Sequence, residues 1–351
     1  MNRSFIIAGV LFLLTNSVMA GNPERAGQAG ATELLINPWA RSSGWADANS
    51  GSIRGLESIF LNVAGAAFTK NTEVIFSSTD YLQGSGIRIN AFGLSQRINE
   101  SSVIGLGIMS MNFGDIPVTT TSQPDGGLGT YNPEYLNMNL FYAKAFSNSI
   151  YGGINVKLVN ESISNVSASG IAFDAGIQYV TGNNNDKDNI KFGISLRNVG
   201  APLTFTGDGL SFRANLTPNG LQPYGLTVSN RSQDFEMPSL INIGASYDIK
   251  FLAANRLTIA AAFTSNSFSN DQFHLGLEYG FKTYFMLRGG FTYENNIFDS
   301  TLRTTSSTGP TAGFTVEIPF GKSGKTFGID YSYRATDPFS GTHSLGARFN
   351  L

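Results

Sequence analysis

The stretch GTHSLGARFNL, residues 341–351, sets His343, Leu345, Ala347, Phe349 and Leu351 in alternation with Thr342, Ser344, Gly346, Arg348 and Asn350. A period of two is that of a β-strand, whose successive side chains point to opposite faces. A soluble protein buries the apolar row, whereas a membrane barrel turns it outward to lipid and keeps the polar row inside. The same choice recurs along the chain. Ile150, Gly152, Ile154, Val156 and Leu158 alternate with Tyr151, Gly153, Asn155 and Lys157, and Ile171, Phe173, Ala175, Ile177 and Tyr179 with Ala172, Asp174, Gly176 and Gln178. Ile190 to Arg197, Ile241 to Asp248, Phe273 to Tyr279 and Phe327 to Arg334 repeat the pattern.

Counted this way, strands are predicted near 72–80, 86–98, 102–113, 134–146, 149–160, 168–180, 188–198, 239–249, 256–265, 271–280, 283–294, 308–318, 325–334 and 341–351. These make fourteen, an even number, most of them close to the ~9–11 residues that a tilted strand needs to cross a bilayer. With both termini placed on the periplasmic side, every connection after an even-numbered strand is short. The connections after odd strands include Gly114 to Pro133, Val199 to Pro238 and Asn295 to Ser307, all long. Short periplasmic turns and longer outer loops are the habit of outer-membrane barrels. Aromatic residues sort in the same way, with Phe146, Tyr179, Tyr247, Tyr279 and Phe349 on the lipid row at periplasmic ends and Phe263, Tyr293 and Tyr333 at outer ends. A soluble propeller or sandwich gives no reason for that sorting. The expected fold is therefore an all-β transmembrane antiparallel barrel of about fourteen strands over residues 72–351, with the bilayer as its surroundings.

Composition agrees. Only 14% of residues are charged and 40 are glycine, against roughly 25% charged in an average soluble protein. The net charge of -2 gives no reason to expect nucleic acid as a partner. Cysteine is absent, which excludes disulfides, thiolate metal sites and a lipidated cysteine after the leader. Residues 1–20 read as a signal peptide, with Arg3, the apolar run Phe5 to Leu14, and Val18-Met19-Ala20 before cleavage at Gly21. The alternative, a transmembrane helix, is short of the ~20 apolar residues required.

Residues 21–71 do not alternate. Leu34, Leu35, Ile36, Trp39, Ile59, Phe60 and Leu61 are more large apolar groups than a disordered periplasmic tail holds, so the segment is expected to plug the barrel. Its polar residues Arg41, Asp47, Asn49, Arg54 and Asn62 are then candidates to face the lumen. The lumen row itself carries Arg88, Lys157, Asp174, Lys191, Arg197, Glu278, Arg288, Glu317, Asp330, Arg334 and Arg348. Opposite signs fall on neighbouring strands, as for Glu278 with Arg288 and Asp330 with Arg348, which points to cross-strand pairing rather than to a solute path lined by one sign. The only histidines, His274 and His343, have no nucleophile-elbow serine beside them, and no His or carboxylate cluster has metal-ligand spacing. Neither enzyme activity nor a cofactor is expected.

The segment Ala40 to Phe68, ARSSGWADANSGSIRGLESIFLNVAGAAF, resembles the inserts of the PorV/PorQ family of outer-membrane proteins, relatives of the FadL-type barrels. Ala40-Arg41, Gly44, Ala48-Asn49 and Asn62-Val63-Ala64-Gly65 match, with Val63 where that family usually has Pro. LRNVGAPL, PSLINIGASY and LRGGF, beginning at Leu196, Pro238 and Leu287, are similar to it as well. The resemblance implies fourteen strands and a role in type IX secretion, in which such barrels accompany a large outer-membrane translocon and receive secreted cargo bearing a C-terminal signal domain. A FadL-like uptake channel for hydrophobic molecules and a purely structural barrel stand as alternatives. The connection Val199 to Pro238 is the expected discriminator. It holds Phe205, Leu210, Phe212, Leu216, Leu221, Tyr224 and Leu226 around the turn signal Thr217-Pro218-Asn219-Gly220, and is expected to fold as a hairpin above the membrane that binds a partner.

Overall fold

The computed structural model describes residues 21–181, 190–216, 224–251, 255–282, 284–320 and 324–351. Residues 1–20, where a signal peptide is expected, Thr217 to Gly220 and Leu221 lie outside them. Fourteen strands close into one antiparallel barrel. They are β1 (Thr72–Tyr81), β2 (Ile87–Arg97), β3 (Ser102–Asn112), β4 (Pro133–Ala145), β5 (Ile150–Ile163), β6 (Val166–Val180), β7 (Ile190–Gly200), β8 (Leu240–Phe251), β9 (Asn255–Asn266), β10 (Gln272–Phe281), β11 (Phe285–Glu294), β12 (Ser307–Phe320), β13 (Lys325–Thr336) and β14 (Thr342–Asn350). Each pairs with the next, and the closing strand β14 pairs back onto β1 with Phe76 opposite Ala347 and Glu73 opposite Asn350. Closure leaves no unpaired edge, which is the condition for strands to sit in hydrocarbon.

The alternating rows face as their chemistry requires. Leu345 and Phe349 are 57% and 42% exposed on the outer surface, while Arg348 between them is 2% exposed inside. Phe146, Tyr179, Tyr247 and Tyr293 lie on the outer surface near the strand ends. A continuous apolar belt outside and polar groups inside make this an outer-membrane protein. Unheated protein is expected to run at a different apparent size from boiled protein on a detergent gel, with a strand-dominated circular dichroism spectrum. A helical spectrum, or recovery from the soluble periplasm, would contradict the barrel.

Arg88 corrects one sequence expectation. It is exposed on the outer surface of β2, opposite Asp80 of β1, while Ile89 and Ala91 are buried inside. The assumption that polar residues face inward fails here because the interior of this sector is filled with apolar side chains. A second correction concerns the start of the plug, for which the strand parity predicts the periplasmic side. Gly21 instead lies against Ser269 and Asp271 in the outer β9–β10 connection, and the Asn22 backbone N–H donates to the Asn266 carbonyl at 3.4 Å. From there the segment descends through the lumen to Thr69 and the periplasmic end of β1, as a series of turns of three to six residues.

The long outer connections are ordered where described. Between β3 and β4, Ile116–Pro117 pairs with Thr130–Tyr131. Between β7 and β8, Leu203–Thr204 pairs with Asp234–Phe235, and Ser211–Leu216 pairs with Tyr224–Ser229 as a separate two-stranded ribbon. β5 and β6 are longer than the sequence periodicity indicates, meeting at Ser164 and Asn165, and the connection folds back on this tip through a bridge from Ser167 to Thr206.

Candidate functional site

The site is the lumen, and its character is set by how the N-terminal plug meets the wall. Two flanks differ. Toward β1–β6, plug residues Leu34, Trp39, Ile53, Leu56, Ile59 and Leu61 form one buried cluster with Ile75, Ile89, Val103, Met109, Met111, Tyr135 and Phe141 of the wall. This is an ordinary hydrophobic core placed inside a barrel, and burying it removes apolar surface from water at roughly 25 cal/mol per Å².

Charge holds the lumen from β5 round to β14, with Lys157 of β5 and Asp174 of β6 at the edge of the apolar flank. Lys157 Nζ lies 2.7 Å from Asp174 Oδ2, with both side chains at most 3% exposed, and Lys191 Nζ lies 2.5 Å from Asp248 Oδ2. Glu278 accepts from Arg288 Nε at 2.6 Å and also pairs with Arg256. Arg348 lies 3.4 Å from Glu317 and 3.9 Å from Asp330. Apart from Arg348–Glu317, which reaches across β13, these pairs join neighbouring strands, the arrangement expected of struts rather than of an ion path. Removing one partner of a buried pair strands the other, so Lys157→Met is expected to cost about 3–5 kcal/mol in urea unfolding. A loss under about 0.5 kcal/mol would show that the pair is not buried as described.

The plug's own polar residues turn mostly to one another. Arg41 Nε sits 3.6 Å from Glu57 Oε1 within the plug, rather than against a wall carboxylate at closer range. Burial acts against the Arg41 charge, but Glu57, then Glu278, Asp330 and Glu317, outweigh it and hold the guanidinium's proton above the ordinary arginine range. Burial likewise pushes the Glu57 carboxyl up, against the pull of Arg41 and Arg348. Asp47 accepts from Asn37 Nδ2 at 2.5 Å, and the Arg54 guanidinium lies 4.4 Å from the centre of the Phe68 ring. Arg41 thus pairs with Glu57 inside the plug while the wall carboxylates Glu278, Asp330 and Glu317 also act on its charge, and Asp47 is held by Asn37. Asn49 is buried, and its carbonyl accepts from the Ile53 N–H at 2.7 Å. Asn62 bridges plug and wall, accepting from the Ala64 N–H at 3.2 Å and donating to the Ile177 carbonyl of β6 at 3.1 Å. Ser43 meets Ser332 of β13 at 2.8 Å, and Ser195 of β7 donates to the Leu61 carbonyl at 2.7 Å.

Sequence reasoning missed a ring of inward glycines on which the plug is seated. Gly93 lies under Leu56, Gly107 under Ile59, Gly153 under Val63, Gly176 and Gly193 under Asn62, Gly244 under Ser50 and Gly51, Gly276 and Gly290 under Trp45, and Gly313 under Gly44. A Cβ at Gly176 would stand 2.2 Å from Asn62 Oδ1, and one at Gly290 would stand 2.5 Å from the Trp45 carbonyl carbon. The signal was present as glycine recurring on the inward row of successive strands, but the same residues also read as ordinary strand spacers.

Above the plug lies an outer vestibule of about 460 Å³. Its floor includes Ile36, Ser43, Asp47, Phe60 and Leu61 of the plug, and its walls carry Arg197, His274, Glu294, Arg334 and many Ser and Thr residues. His274 sits between Thr264 at 3.0 Å and Thr292 at 3.2 Å. His343 is outside, 2.8 Å from the Tyr331 hydroxyl. Among the described residues no group of three or more His, Asp or Glu is placed to hold a metal ion.

The outer-loop candidates divide. Phe205 is half-buried, packed edge-on to Phe235 at 5.9 Å, and Leu210 is half-buried at the start of the ribbon. Phe212 opposes Val228 and Ala214 opposes Leu226, with Leu216 and Tyr224 paired at the described end. Paired residues share a face, so Phe212, Ala214, Leu226 and Val228 make one face of this ribbon apolar, and Phe212 and Leu226 on it are 48% and 46% exposed.

No protein-family model matches the chain, and no curated protein matches it. Solved structures do. The chain is similar to the crystal structure of the Pseudomonas putida toluene transporter TodX, with a TM-score of 0.55 at 12% identity over 86% of this chain and 94% of that one. It is similar to a Pseudomonas aeruginosa FadL homologue, with a TM-score of 0.52 at 13% identity over 88% of this chain and 96% of that one. At such identity the likeness is one of architecture, and the chain has the fold of the FadL-type outer-membrane barrels.

Proposed function

We propose that the chain is a plugged outer-membrane channel that admits small, mostly apolar molecules. The observation that carries this reading is the apolar flank between the plug and β1–β6. Phe60 and Leu61 belong both to the vestibule floor and to the buried cluster, so an apolar surface runs from the outer chamber toward Val103, Ala143 and Tyr151 near the periplasmic end. A solute following this flank meets mainly apolar side chains, while ion pairs brace the rest of the lumen. The resemblance in fold to TodX, a toluene transporter, supports the same class of solute. Cells expressing the protein are expected to take up radiolabelled toluene faster than vector controls at low concentration. Equal rates would overturn the reading.

The ribbon of residues 211–229 favours a second reading, in which the barrel accompanies a translocon in type IX secretion, as its resemblance to the PorV/PorQ family implies. An isolated two-stranded ribbon is marginal in water, and an uncovered apolar face on it is the chemistry of a partner surface. Replacing Leu210 to Leu226 by a short Gly-Ser linker is expected to leave assembly intact and abolish co-purification of a large barrel or cargo protein. Co-purification at normal yield would dismiss this role for the loop, and loss of toluene uptake instead would return the loop to the channel.

A further inference from the structure

From the outer vestibule we infer a binding site for a small, neutral, polyhydroxylated ligand of the saccharide class, on the polar walls above the point where the proposed apolar route leaves the chamber floor. Serine and threonine outnumber every other residue type in the lining. Hydroxyls both donate and accept, so they suit a ligand that does the same. An apolar guest would strip these groups of water and return no hydrogen bonds, at a cost of about 1–3 kcal/mol for each group left unpaired.

The charges in the chamber argue against an ion. Arg197 and Arg334 are balanced by Asp47 and Glu294, so no single sign prevails. Several of their polar atoms are nonetheless unused. Glu294, 4% exposed, receives one hydrogen bond from Gln272 Nε2 at 2.9 Å on Oε2, and its Oε1 has no partner among the described residues. Arg334 Nε and Nη2 and Arg197 Nε are likewise without partners there. Buried polar atoms are nearly always paired in native proteins, and a sugar's several hydroxyls can donate to Glu294 and accept from Arg334 and Arg197. Tyr81 and Ile36 add an apolar surface against which a pyranose face packs. The chamber, about 460 Å³, falls in the size range of small-molecule sites, roughly 300–1,000 Å³.

The test is isothermal titration of the full mature protein in an amine-oxide detergent, whose headgroup carries no sugar, with maltose and, in separate runs, glycine betaine and toluene. Saturable maltose binding is expected, weakened at least about tenfold by Glu294→Gln and by Arg334→Met, each variant checked for heat-modifiable migration; loss of a hydrogen bond to a charged group is worth that much. Absence of maltose binding at millimolar concentration overturns the inference. So does maltose binding that both folded variants retain unchanged, or binding of betaine without maltose. Should one variant fail to fold, the other together with the wild-type isotherm still decides. Maltose isotherms and toluene uptake by cells are separate readouts, so failure here is distinguishable from failure of the channel reading.

Discussion

Deletion of residues 21–65 is expected to turn a silent barrel into an open pore. In planar bilayers the intact protein should give no resolvable steps, because the lumen is filled by an apolar core on one side and by buried ion pairs on the other. Without the plug, the wall charges Lys157, Asp174, Glu278, Arg288, Asp330 and Arg348 would line a water-filled passage, and discrete open-channel currents should appear. The barrel itself should survive, since its fourteen-stranded hydrogen-bonded ring closes without help from the plug. Steady current through the intact protein would contradict a closed lumen. A deletion that stays silent would show that something other than the plug blocks the path.

The glycine ring offers the second large effect. Gly290→Val and Gly244→Val place a side chain where the Trp45 backbone carbon and the Gly51 nitrogen stand 2.5 and 2.7 Å away. Backbone cannot step aside as a flexible side chain does, so each substitution should cost about 1–3 kcal/mol or more of plug seating. Together they should expose residues 21–71 to added protease and raise conductance toward that of the deletion. Gly289→Val, whose added Cβ meets only the Thr311 carbonyl at 3.9 Å, is the control and should leave both unchanged. Full protease protection in the double variant would mean that the glycines do not seat the plug.

The wall was legible in the sequence because a lipid-facing strand must alternate, and the alternation named every barrel strand to within a few residues. The lumen was legible only where it is polar. Glu278 with Arg288 and Asp330 with Arg348 could be read from opposite signs on adjacent strands. Arg88 could not, because the rule that places polar residues inside presumes a wet or charged interior, and the plug makes the interior beside Ile89 apolar. The large apolar residues of segment 21–71 are visible in the sequence, but its internal pairing of Arg41 with Glu57 or of Asn37 with Asp47 is not. Such contacts depend on turns of three to six residues, which leave no periodic trace. Nor does a vestibule show in one sequence, since Thr32, Arg197, Glu294 and Arg334 come from four separated segments.

Because the apolar flank is packed as a buried core, passage of a solute along it requires the plug to shift, and the chain's lack of cysteine allows that shift to be stopped at will. Ser43 of the plug and Ser332 of β13 bring their hydroxyl oxygens to 2.8 Å, close enough that cysteines at both positions should bridge at the ~2.05 Å length of a disulfide. Toluene uptake by cells carrying Ser43→Cys with Ser332→Cys should fall to the vector level when oxidised and recover on reduction, while either single variant behaves as the wild type. Uptake that continues undiminished through the locked, oxidised barrel would contradict the account.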